Sequence, residues 1–303
     1  MQGFTRRFQT ALQHLNAGRL DAAASVCAGL RETAPDDPAV LQLQATIALR
    51  EHRPEEALQL IEESLGQRAD HVPSLIVAVR AAWQAGELPR AAAAARQAVA
   101  LAPTLPEPAF LLCRVLLELG DASLSDTMEQ AAARFPKHAA EWQDLGAALR
   151  RAKQAGMALR AFTRAAAADP ASGSAQFARG LLLRDFGLMH QAQVALEKAV
   201  ELDPTVSGAW FALGLTCEDL SDEAGAAAAY EAALRERPDF AEAAVNLGIA
   251  RQRLGDMDAA MAAYRCAVRI RPDSFARIAQ AATSSATGML WLDLDAFRRS
   301  LEA

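Results

Sequence analysis

Side chains that could hold a metal or move a proton near neutral pH are sparse in this 303-residue chain, and their spacing argues against either use. The five histidines, His14, His52, His71, His138 and His190, include no His-x-x-x-His pair that would set two rings on one helix face. They are expected at surfaces and turns. The four cysteines, Cys27, Cys113, Cys217 and Cys266, include no Cys-x-x-Cys pair and read as small packing residues, not as disulfides or zinc ligands. No Gly-x-Ser-x-Gly elbow, phosphate loop or Gly-x-Gly-x-x-Gly fingerprint occurs. Asp219, Asp222, Glu223, Asp256 and Asp258 sit around expected helix junctions, where carboxylates favour helix starts. The expectation is a non-catalytic protein without cofactor or metal.

The elements that carry these residues repeat. Between Ser207 and Pro238 lie Trp210, Leu213-Gly214, Cys217, Ala226, Tyr230, Ala233 and the closing proline. Stepping by 34 residues gives unit starts near Phe4, Pro38, Val72, Pro106, Ala139, Gly173, Ser207 and Ala241, with one residue lost around Gly120-Asp121. Pro35, Pro103, Pro136, Pro170, Pro204, Pro238 and Pro272 close the units, and Ala69 replaces the proline of the second. In the eighth unit Ala244, Leu247, Gly248 and Arg251 follow the i, i+3, i+4, i+7 pattern of one helix face. Gly255-Asp256 then ends the first helix (A) and caps the second (B). Ala260, Tyr264 and Ala267 alternate small, large and small on helix B, and Pro272 stops it. Strand signals are nearly absent, so the fold class is all-α.

This skeleton resembles the tetratricopeptide repeat family over residues 4–274. The resemblance implies a right-handed α-solenoid of eight antiparallel helix pairs that binds a protein segment in its concave groove. Residues 275–303 are expected to form a capping helix, from Phe275 through Ile278 and Ala282, and a tail. In that tail a short helix from about Asp293 aligns Leu294, Phe297 and Leu301, and either closes the array or uses Trp291 and Phe297 to dock a partner or a second copy.

The resemblance also implies that positions 2, 5, 9, 12 and 13 of each helix A line the groove. These positions supply an apolar cluster of Phe177, Leu181, Phe211, Leu215, Val245 and Ile249, with Asn246 beside it. A second apolar cluster holds Phe8, Leu12, Leu15, Leu43 and Leu49. Arg80, Arg114, Arg150 and Arg184 form a candidate basic rung between them, suited to carboxylates on a ligand. Neighbouring A helices could equally bury part of the stripe against one another. Chaperone-binding members of the family carry Lys and Asn clamp residues where this chain has Phe8, Leu12 and Leu43, so a clamp of that type is not expected. The asparagine ladder of the arrays attached to O-linked N-acetylglucosamine transferases is reduced to Asn246.

The formal net charge of −6 argues against nucleic acid as a partner, since phosphate binding needs a basic footprint. No apolar run is long enough for membrane insertion, and residues 1–13 lack the apolar core of a secretion signal, so a cytoplasmic location is expected. The reading is a scaffold or adaptor for a protein or peptide partner. The alternatives are a self-assembling structural scaffold, a homo-oligomer held by its C-terminal tail, or a targeting module for a separately encoded glycosyltransferase-like enzyme.

Overall fold

A computed structural model of the chain describes residues 2–284 and 294–302, and the regular elements among them are all helical. Turns set their order. Gly18, His52, Gly86, Gly120, Lys153, Gly187, Ser221 and Gly255 all have positive φ, and each follows a helix A. A left-handed residue there reverses the chain and lets the next amides reach back to the last carbonyls of the helix. After the helix Val72–Gln84, for example, Gly86 N–H donates to the Trp83 carbonyl (3.1 Å) and Glu87 N–H to that of Ala82 (2.8 Å).

The chain divides into two compact units, Met1–Glu141 and Trp142–Ala303. In the first, consecutive helices pack in pairs: α1 (Gln2–Asn16) with α2 (Leu20–Thr33), α3 (Pro38–Arg50) with α4 (Pro54–Gln67), α5 (Val72–Gln84) with α6 (Leu88–Leu101), and α7 (Pro106–Leu119) with α8 (Leu124–Arg134). The second unit takes over within α9 (Ala139–Arg151). It continues with α10 (Ala155–Ala168), α11 (Gly173–Asp185), α12 (Met189–Leu202), α13 (Ser207–Asp219), α14 (Glu223–Glu236), α15 (Ala241–Arg253) and α16 (Met257–Ile270). Within each unit successive pairs also pack on one another, α2 on α3, α4 on α5 and α6 on α7 in the first, and α10 on α11, α12 on α13 and α14 on α15 in the second, and a hydrophobic core forms between them. The missing residue of the fourth repeat falls between Gly120 and Arg134. There α8 has 11 residues where α6 has 14.

Local chemistry explains the boundaries. Asp37, Ser172, Asp222 and Asp256 cap α3, α11, α14 and α16 by accepting from amides of the first turn. Pro38, Pro54 and Pro106 open α3, α4 and α7, where no intrahelical N–H is needed. Buried alanines on the B helices, such as Ala226, Ala229 and Ala233 on α14, let neighbouring helices approach closely.

Beyond α16 a short 3-10 turn, Pro272–Ser274, leads into α17 (Phe275–Ser284) and α18 (Leu294–Glu302). Ile278, Ala279 and Ala282 of α17 and Phe297 and Leu301 of α18 join the core of Tyr264 and Val268. The Phe275 and Phe297 rings lie 5.8 Å apart. Phe297 is therefore spent on closing this end of the stack and is not presented to a partner. Trp291 lies outside the described residues.

Candidate functional site

In the C-terminal unit the A helices place Phe177 and Leu181 (α11), Phe211 and Leu215 (α13) and Ile249 (α15) at matching positions. All five are half-buried. Each packs with one edge against the core while the rest remains open to solvent. Phe211 makes ring contacts with Tyr230 (5.7 Å) and Phe240 (4.7 Å). The tip of Phe177 lies 3.7 Å from the position of a Cβ at Gly208, so the ring reaches the first turn of the next A helix at ordinary van der Waals distance. The stripe is thus both the seam between A helices and a partly exposed apolar surface.

Two residues of the expected groove do not belong to its surface. Val245 is only 3% exposed and Asn246 only 2%. Val245 joins the core against the capping helices, while Asn246 sits inside a polar chain that links the seventh repeat, the eighth and α17. Tyr230 Oη donates to Glu218 Oε2 (2.6 Å), Asn246 Nδ2 donates to Tyr230 Oη (3.4 Å), and Arg277 Nη2 donates to Asn246 Oδ1 (2.7 Å). Burial, reinforced by the Glu218 hydrogen bond, pushes the Tyr230 phenol far above its ordinary range, so it stays a neutral donor. At the N-terminal end Leu15, Leu43 and Leu49 are likewise buried, and only Leu12 of that cluster is exposed.

The arginines divide between the units. In the N-terminal unit Arg80 pairs with Glu107 (2.5 Å), and the Arg114 guanidinium lies 4.7 Å from the centre of the Trp83 ring. In the C-terminal unit Arg184 pairs with Asp219 (3.3 Å), whereas Arg150 is exposed and forms no ion pair among the described residues. Three of these four arginines therefore already have partners. A spacing rule underlies some of these contacts. Trp83–Glu118, Arg184–Asp219 and Glu218–Arg253 are each 35 residues apart, one repeat plus one position, so they tie the end of one A helix to the end of the next.

The sequence model of the tetratricopeptide repeat matches residues 43–106, 177–239 and 219–275, together more than half of the chain. The chain belongs to the tetratricopeptide repeat family. No curated protein sequence matches it. Among solved structures it resembles the C-terminal part of a TPR repeat-containing protein from Cytophaga hutchinsonii, with a TM-score of 0.63 and 16% identity over 79% of this chain and 99% of that one. A tetratricopeptide repeat protein from Parabacteroides merdae gives a TM-score of 0.51 and 14% identity, covering 82% of this chain and 99% of that one. YrrB, described as a TPR protein with an unusual peptide-binding site, gives 0.46 and 20%, covering 60% of this chain and 95% of that one. At such identities the likeness speaks to the fold.

Within this tetratricopeptide array, sequence reasoning had no means to find the Glu218–Tyr230–Asn246–Arg277 chain. It joins a repeat-signature tyrosine to polar residues in three different helices. The 35-residue spacing points only to the neighbouring Glu218–Arg253 pair, because the links of the chain itself are 12, 16 and 31 residues apart. A cleft of about 270 Å³ lies beside the chain, lined by Glu242, Val245, Arg271, Asp273, Ser274 and Arg277. Arg271 is occupied by Glu242 (2.6 Å) and holds that carboxyl below its ordinary range, so the charges lining the cleft are largely balanced. Among the described residues no cluster of His, Cys, Asp and Glu could hold a metal, and no helix is long and apolar enough to cross a membrane.

Proposed function

We propose that the C-terminal unit is an interaction module that holds an amphipathic segment of a partner protein across the face of its A helices. The family supplies the general expectation of a scaffold. One observation carries the specific reading: Phe177, Leu181, Phe211, Leu215 and Ile249 keep part of their apolar surface open on three successive A helices. Contiguous apolar surface of this kind is uncommon on a free protein and marks contact sites. Exposed Ser174 at one rim and the Arg184–Asp219 pair at the other bracket it with groups suited to a ligand's backbone and charged ends.

Selection of a random peptide library on the intact chain tests this reading. Enriched sequences should be amphipathic, should compete with one another, and should bind the Phe177→Ser/Leu181→Ser variant roughly tenfold or more weakly, the equivalent of losing one buried large apolar side chain. Phe211 is unsuitable for this test because its ring also packs on Tyr230 and Phe240. Peptides that bind the variant as well as the wild type would place the site elsewhere.

A further inference from the structure

The turns between helices A and B carry apolar side chains that the turn itself does not need. Just before the left-handed residue stand Ala17, Glu51, Ala85 and Ala152 in four repeats, all small or charged, with Leu119 in a fifth. In the sixth, seventh and eighth repeats the same position holds Phe186, Leu220 and Leu254. Because equivalent residues of stacked repeats align, these three lie along one edge of the C-terminal unit. Phe186 is 47% exposed and Leu254 46%, and Leu188, just past the sixth turn, is 41% exposed. Neither helix geometry nor the core explains large apolar groups in these turns.

The charges along the edge are ordered as well. At the fifth turn Arg150, Arg151 and Lys153 are all exposed, and none forms an ion pair among the described residues. At the seventh turn stand Glu218, Asp219, Asp222 and Glu223, four carboxylates against the two guanidinium groups, Arg184 and Arg253, that reach them from neighbouring repeats. One Glu223 oxygen is buried without a hydrogen-bond partner. The edge therefore runs from the basic fifth turn, through a sixth turn where Phe186 and Leu188 stand beside exposed Asp185, to a seventh turn with more carboxylates than guanidinium groups.

Such an edge is complementary to itself. We propose that it is a homodimer contact: a second copy of this chain docks antiparallel about a two-fold axis at the sixth turn. Phe186 and Leu188 then meet their own counterparts, and each basic fifth turn faces the acidic seventh turn of the other copy. A two-fold axis requires this reciprocity, with the same patch used on both copies. A stable dimer buries about 800 Å² per partner, and a few turn residues supply less apolar area than that. The association is accordingly weak, reversible and favoured at low salt. It leaves Phe177, Leu181, Phe211, Leu215 and Ile249 free for the proposed partner segment and shares with that site only the Arg184–Asp219 rim.

Sedimentation equilibrium of the full chain, over rising concentration and at two salt levels, tests the proposal. The expected result is a monomer–dimer equilibrium that weakens with salt. Phe186→Ala/Leu188→Ser, and separately Arg150→Glu/Arg151→Glu, should each weaken it about tenfold or more while helix content is unchanged. In a Cys266→Ser background, Leu188→Cys should give an intermolecular disulfide under mild oxidation, and Glu87→Cys, at the equivalent place in the third repeat, should not. A monomer at every concentration overturns the proposal. So does a dimer indifferent to the Phe186/Leu188 pair, or one trapped through Glu87→Cys but not through Leu188→Cys.

Discussion

A Cβ placed on Gly214 would lie 2.5 Å from Cε1 of Tyr230, so the α13 backbone rests directly against the tyrosine ring of α14. The same register recurs through the C-terminal unit. Gly146 faces Phe162, Gly180 faces Leu196 and Gly248 faces Tyr264. In the N-terminal unit these two positions hold Ala11 and Cys27, Ala45 and Ile61, then Val79 and Ala95, all buried. Volume is traded across the pair at its extremes: glycine on helix A stands against Phe162, Leu196, Tyr230 and Tyr264, and valine, Val79, stands against an alanine. Close packing requires this, because the space between the helices is fixed by the rest of the repeat.

Gly214→Ala should therefore lower stability by about 2 kcal/mol, the range expected for overpacking. Tyr230→Ile alone opens a cavity and should cost about 3 kcal/mol. Made together, on the pattern of Ala45 with Ile61, the two changes should cost less than their sum by about 1 kcal/mol or more, because they share one space. Urea midpoints by circular dichroism, with hydrogen exchange of the α13 and α14 amides, measure the cycle. Strict additivity would show that the pair is not a volume exchange.

The turn residues offer a stabilising change. His52, Lys153 and Ser221 hold left-handed φ values of 59°, 59° and 60°, in places where five other repeats use glycine. A side chain in that conformation costs about 1–2 kcal/mol, offset in part by the extra freedom glycine has when unfolded. Each of His52→Gly, Lys153→Gly and Ser221→Gly should raise stability by about 0.5–1 kcal/mol, and Gly86→Ala should lower it by a similar amount. Thermal melting of the four variants checks both directions.

The fold was readable because its determinants are local. A glycine after helix A, an aspartate cap, a small residue against a large one and a closing proline each act within one repeat, and repetition reinforces the signal. The candidate site was less readable because its residues have two uses. Phe177, Leu181, Phe211, Leu215 and Ile249 sit where the helical period places them, but whether such a position faces solvent depends on how closely adjacent A helices approach. Val245 occupies a register that is half-buried in the two preceding repeats and is buried because α17 covers the last repeat, whereas Asn246 shares its register with Leu43, Val77, Leu111 and Ala212, which are buried as well. For Phe297 the pattern left closing the array and docking a partner both open, and the residue is used to close the stack.

The buried chain through Asn246 makes that residue structural. Removing its amide leaves Tyr230 Oη with one partner fewer and frees the Arg277 guanidinium from the Asn246 carbonyl oxygen. Asn246→Ala should destabilise the C-terminal repeats by about 1–3 kcal/mol, the usual cost of stranding a buried polar group. Affinity for a selected peptide, measured well below the melting temperature, should change little. A variant of normal stability with lost peptide binding would instead make Asn246 a ligand contact.

The buried thiols set an alkaline limit. Burial raises Cys27 and Cys217 to about 11 and Cys113 to about 12, from an ordinary value of 9.0, and raises Tyr264 to about 12 from 10.0. For each of these groups the folded value lies above the unfolded one. Below pH 9 both states keep the proton and the contribution is fully present. Above pH 9 the unfolded chain releases protons that the folded chain retains, so stability falls as pH rises towards the folded values. Urea midpoints should be nearly level from pH 7 to about 9 as far as these groups are concerned, and then decline. Replacing the three buried cysteines by alanine should move the onset of the decline to about pH 10, where Tyr230 and Tyr264, both raised by burial, take over. Under native conditions a thiol reagent at pH 8 should modify only the half-buried Cys266, and all four cysteines once urea has unfolded the chain. Rapid native labelling of Cys27, Cys113 or Cys217 would mean that the repeats open locally far more often than their packing implies.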